Sequence, residues 1–170
     1  MLPTDLLSEA FDRIREVVHS AVRDASIGAL TFRADPAANT IAWLVWHLTR
    51  VQDRQIAELM GEEQVWTADG WVDRFGLPFP PGATGYGQSA DDVAAVRVSA
   101  ELLADYHDAV HTRTIDYLHA LADDDLARIV DTSWSPPVTL AVRLVSTLSD
   151  DLQHAGQASY VRGLAKRAGL

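Results

Sequence analysis

Apolar side chains recur at three- and four-residue spacing along nearly the whole chain, and its longest stretches contain neither Pro nor Gly. That period lines one face of an α-helix; a half-buried strand would alternate every two residues. Thr4 and Asp5 open a first helix, predicted near residues 4–24, with Leu6, Leu7, Ala10, Ile14, Val17 and Val18 on its apolar stripe. Asn39 or Thr40 caps a second near 40–60, which carries Ile41, Leu44, Val45, Leu48, Val51, Ile56 and Leu59 and stops at Gly61. Ser89 with Asp91 and Asp92 opens a third near 89–121, whose seam runs from Val93 and Val96 through Ala100, Leu103, His107, Val110, Thr114, Tyr117 and Leu121. Thr139 caps a fourth near 139–166, with Ala141, Leu144, Val145, Leu148, Leu152, Ala155 and Ser159 read as its inner face. No strand pattern and no internal repeat stands out. Four long helices with two long connections predict an all-α four-helix bundle in which some neighbours run parallel.

A chain of 170 residues is one domain by length, here 1–170, and buries roughly 70% of its unfolded surface, enough for a core that needs neither disulfide nor metal. Any metal is then expected to be functional. The 14 basic against 24 acidic residues, net charge −10, disfavour a nucleic-acid partner. Cysteine is absent, which excludes thiolate metal sites and a cysteine nucleophile; thiol chemistry would need a thiol brought by a substrate. Met1 to Ser20 carries charges every few residues, so neither a signal peptide nor a membrane span is expected, and the location predicted is cytoplasmic.

The connection from Glu62 to Gln88, between the second and third helices, is too long for an ordinary bundle turn and holds Trp66, Trp71, Phe75, Phe79 and Tyr86 among Gly and Pro. Two uses fit it: a self-packed surface loop, or a pocket wall in which Trp71, Phe75 and Phe79 narrow access to the bundle's open end while Gly82, Gly85 and Gly87 permit tight turns. In the second case Trp134 would close the opposite side.

Among the histidines, His47 borders the buried stripe of the second helix, where an imidazole commonly serves only as a hydrogen-bond partner. His154 lies four residues after Asp150 and three after Asp151, so either carboxylate can share its face and offer, with it, two metal ligands one turn apart. Adding His47 from another helix would make three protein ligands and leave positions open, the arrangement of a catalytic zinc. His107 and His111 form a rival pair on the third helix, with His107 in the apolar seam as either a packed core residue or a substrate contact. Arg50 and Arg54 follow His47 on nearly the same face and could hold an anionic group, although solvated charge is the common use of such residues.

The segment Asn39-Thr40-Ile41-Ala42-Trp43-Leu44-Val45-Trp46-His47-Leu48-Thr49-Arg50 resembles the second helix of the DinB-like superfamily, and Asp150-Asp151-Leu152-Gln153-His154-Ala155-Gly156-Gln157 resembles its fourth-helix metal motif. That superfamily includes metal-dependent hydrolase-like proteins, mycothiol-dependent maleylpyruvate isomerase and thiol S-transferases. The resemblance implies up-down-down-up connections, one divalent ion, commonly zinc or nickel, and in many members a homodimer. Its first and last ligands fall on His47 and His154. Its middle ligand, a histidine or glutamate four residues before the last, falls on Asp150, where this chain has the shorter aspartate; the helical wheel places Asp151 nearer the apolar centre and keeps it as the alternative.

The function so implied is binding of a low-molecular-weight thiol, of the mycothiol or bacillithiol type, and its attack on a small electrophile in S-transfer or isomerisation, with Arg50, Arg54, Trp71 and His107 as candidate substrate contacts. Two other readings are metal-activated water doing hydrolysis, for which Asp151 is the one candidate base, and a non-catalytic stress-related binding module that keeps the bundle.

Overall fold

A computed structural model describes residues 2–170. Four long helices make the bundle: α1 (Pro3–Val22), α3 (Ile41–Met60), α7 (Ala100–Ala120) and α8 (Leu140–Arg167); α2 (Ile27–Leu30), α4 (Val65–Ala68), α5 (Trp71–Phe75) and α6 (Ala90–Ala95) are short. The caps are local. Thr40 accepts from the Trp43 N–H and Gly61 closes α3 in the left-handed region at φ +69°; Thr139 accepts from the Val142 N–H and opens α8. In α1 the chain turns helical at Pro3, ahead of Thr4, and Asp5 accepts from the Leu2 N–H at 2.9 Å.

Cross-bundle contacts give the direction of each helix. Asp12 and His19 of α1 meet His111 and Asp108 of α7, so these two run antiparallel. Thr49 and Gln52 of α3 meet His107 and Thr114 of α7, so those run parallel. Gln55 of α3 meets Arg143 of α8 while His47 meets His154, again antiparallel. The order is therefore up-down-down-up, with α1 and α3 on a diagonal and α3 most broadly in contact with α8. Phe11, Ile14, Val18, Leu44, Leu48, Leu103, Leu118 and Leu144 fill the core between them. No helix among the described residues is long and apolar enough to cross a membrane.

Three expectations are corrected. The third helix is two: the chain leaves α6 at Val96 and restarts at Ser99, whose hydroxyl accepts from the Leu102 N–H, and the extended link buries Val96 and Val98 on one side while Arg97 points out. A period of two was hidden inside a run that also fits three-four spacing. The inner stripe of α8 is Leu144, Thr147, Asp151, Ala155 and Ala158, whereas Val145 and Leu152 are about half exposed. A short antiparallel ribbon, β1 (Ile129–Asp131) and β2 (Val138–Thr139), forms in the connection before α8, where no strand pattern stood out.

Candidate metal centre

Because α3 and α8 run antiparallel, a histidine early in α3 meets one late in α8. The rings of His47 and His154 lie 4.8 Å apart, centre to centre, in an edge-on arrangement. One turn earlier on α8, Asp150 holds its Oδ1 3.6 Å from His154 Nε2, too far for a direct hydrogen bond. One ligand atom from each of His47, Asp150 and His154 falls within 4.8 Å of the other two. Asp150 Oδ2 is buried without a hydrogen-bond partner among the described residues, an arrangement that a cation would satisfy.

Both imidazoles are held by their far nitrogen. His47 Nδ1 donates to the Thr84 carbonyl and His154 Nδ1 donates to Gln157 Oε1 at 2.9 Å, which leaves the Nε2 lone pair of each free. Trp43, one turn before His47, stacks on it at 4.6 Å and is itself held by Gln88 through its Nε1–H. Burial pushes the His47 pKa down and keeps it neutral as a ligand must be; the adjacent Asp150 carboxylate raises that of His154. Two imidazoles and one carboxylate fit zinc, nickel or a similar divalent ion, with coordination positions left over.

A cavity of about 230 Å³ opens beside this cluster, lined by His47, Val51, Arg54, Gln55, Thr84, Tyr86 and Asp150. Arg54 is exposed on its rim. Asp151 is elsewhere: it is fully buried, its oxygens meet no partner, and burial raises its pKa well above the usual carboxylate range. The wheel was right that Asp151 lies nearer the core, and for that reason it does not line the cavity and is unsuited to be its base.

The other candidate contacts serve the fold. Arg50 is fully buried, with donors on the Ala83 carbonyl, Asp53, Tyr106 and Gln64 and its guanidinium over the Trp66 ring. His107 is sealed in the core with Nδ1 donating to Thr49 at 3.1 Å. Trp71 and Phe75 pack on Tyr106, and Phe79 on Trp46. The loop aromatics expected as a pocket wall thus pack on α3 and α7; from this connection the wall takes Thr84 and Tyr86 instead.

Sequence reasoning missed Thr84, Tyr86 and Gln88 as site residues, since nothing local links them to α3. Trp43 and Gln157 had a signal: each lies one helical turn from a histidine, on the same face.

Comparisons with known proteins bear on the fold and the family. No curated protein matches the chain significantly. A crystal structure of a conserved protein from Enterococcus faecalis superposes with a TM-score of 0.90 at 32% sequence identity, covering 97% of this chain and 98% of that one. The DinB superfamily model matches residues 10–158. A bundle of this order, with its candidate ligands on the second and last long helices, and a family match across most of its length lead to one conclusion: the chain belongs to the DinB superfamily.

Proposed function

We propose that the chain is a divalent-metal-dependent enzyme that joins a low-molecular-weight thiol to a small electrophile, or uses the thiol to isomerise it, with zinc or nickel held by His47, Asp150 and His154. The observation that carries this reading is the pair of free Nε2 atoms turned toward one carboxylate, each imidazole fixed through Nδ1. When bound, a divalent ion supplies the positive charge that lowers the pKa of a thiol ligand. The rest is work for the chain's own groups. The Thr84 carbonyl and the Gln157 amide set the tautomers, Trp43 holds the plane of the His47 ring, and Asp150 offsets part of the ion's charge. Arg54 on the rim offers its guanidinium to an anionic group of the electrophile. The thiol comes with the cosubstrate, because the chain has no cysteine. In S-transfer its proton goes to solvent, an S–C bond forms, and the leaving group departs with the bonding electron pair. Hydrolysis is less favoured, since Asp151 is sealed in the core.

Calorimetric titration of zinc or nickel tests the site. His47→Ala and His154→Ala should each lose most of the affinity, about a hundredfold or more, and Asp150→Asn should weaken binding while Asp151→Asn should not. Chelation should leave the helical circular dichroism intact. Wild-type affinity in both histidine variants refutes the metal centre, and a metal-loaded protein inert in a thiol-electrophile screen refutes the activity.

A further inference from the structure

Three concavities follow one another along the seam of α3 and α8. The cavity beside His47 shares Val51, Gln55 and Asp150 with a groove of about 440 Å³ flanked by Trp134. That groove shares Gln55 and Arg143 with a third hollow of about 200 Å³, bordered by Leu59 and Arg128. His47, Val51, Gln55 and Leu59 succeed one another at four-residue steps, so the three hollows form a trough along the axis of α3. At 1.5 Å per residue the span from His47 to Leu59 is about 18 Å.

Its two ends differ in chemistry. At one end stand the candidate metal ligands. At the other stand two guanidinia, Arg128 and Arg143, with the carboxylates of Glu58 and Asp131. Arg143 is committed: it donates to Gln55 Oε1 and to Asp131 Oδ2, each at 2.7 Å. Arg128 is less so: among the described residues its guanidinium makes one long contact, 3.4 Å, to the Tyr117 hydroxyl, and it is exposed. Its backbone is anchored, since its carbonyl accepts from the Leu140 N–H at 2.8 Å. On a chain of net charge −10, an anion approaches only where such a local cation overcomes the general repulsion.

We propose that the trough binds an elongated small molecule whose carboxylate terminus pairs with Arg128 while its other end reaches His47, Asp150 and His154. Resting on the thiol reading above for the second end alone, this assigns the cosubstrate class: an extended thiol with an anionic group about 15–18 Å from its sulfur. Gln55 and Arg143 form the floor between, and the exposed indole of Trp134 one side wall.

A chain-length series tests it, using ω-mercaptoundecanoate, the uncharged ω-mercaptoundecanol, and mercaptoacetate, which is too short to span the trough. Calorimetry on the cobalt-loaded protein should show the long acid binding about tenfold tighter than the long alcohol, the gain of one charge-assisted pair. Arg128→Gln should remove that difference and leave the alcohol unchanged. Equal binding of acid and alcohol by the wild type overturns the proposal, as does a difference that survives in Arg128→Gln. Sulfur coordination is read separately, from the thiolate-to-cobalt charge-transfer band in the near ultraviolet on adding mercaptoacetate. Absence of that band refutes the thiol reading, and the acid-to-alcohol ratio still decides the role of Arg128.

Discussion

Gly85 shows how a single residue away from the helices sets the candidate site. Its φ of +98° is one that side chains avoid, and a Cβ there would fall 2.6 Å from His47 Nδ1 and 3.0 Å from the Trp43 ring. Only glycine lets the chain lie flat on the imidazole and bring the Thr84 carbonyl to Nδ1. Gly85→Ala should therefore lower metal affinity about tenfold or more, by tilting His47 from its lone-pair direction, while the melting temperature moves by only a few degrees. Titration calorimetry and a thermal melt on the same sample check both halves. The glycines around Tyr86 are visible in the sequence as turn formers. That the turn rests on His47 is not, because the two are 38 positions apart and nothing periodic connects them.

At the scale of elements, the connection from 62 to 88 is tied down by a buried ion pair. Asp53 accepts from the Val65 and Trp66 N–H groups at 2.9 and 2.8 Å, capping α4, and from the Tyr106 hydroxyl at 2.8 Å. Arg50 reaches from the same helix to the carbonyl of Ala83, the residue before Thr84. The network thus joins the start of the connection to the stretch that holds His47. Asp53→Ala would leave Arg50 buried without its carboxylate and two helix N–H groups without an acceptor, a loss of about 3–5 kcal/mol of stability by urea unfolding. Metal affinity should fall with it, since Thr84 loses its support. Arg50 was legible as a helix-face arginine near His47; its direction was not, because exposed and buried arginines share the same spacing until the covering loop is placed.

For the whole molecule, the core histidine supplies a pH signature. Burial pushes the His107 pKa down to about 3 from an ordinary value of 6.5. As pH falls through that window the unfolded chain takes up a proton that the folded chain refuses, so the stabilising contribution is complete above about pH 6.5 and declines toward pH 3. Urea midpoints at pH 7 and 4.5 should separate more for the wild type than for His107→Gln, by the equivalent of about 2 kcal/mol, and equal separation would count against a neutral buried imidazole.

The first, second and last long helices were properties of the sequence alone, because three-four spacing and the Thr40 and Thr139 caps act within a few residues. The same locality put Asp150 and His154 on one face of α8, while the resemblance to the DinB-like superfamily marked His47 as their distant partner. What the tertiary structure decided is everything that depends on how helices roll and which neighbour covers them. Asp150 and Asp151 differ by about 100° around the helix axis, so only the roll of α8 against α3 and α1 could turn one to the cavity and the other into the core. The two valines at 96 and 98 carry both periods, and core contact chose the extended one. Arg50 and Trp71 were drawn into packing by a long connection whose path leaves no periodic trace in the chain, and His107 by α3, whose Thr49 it meets.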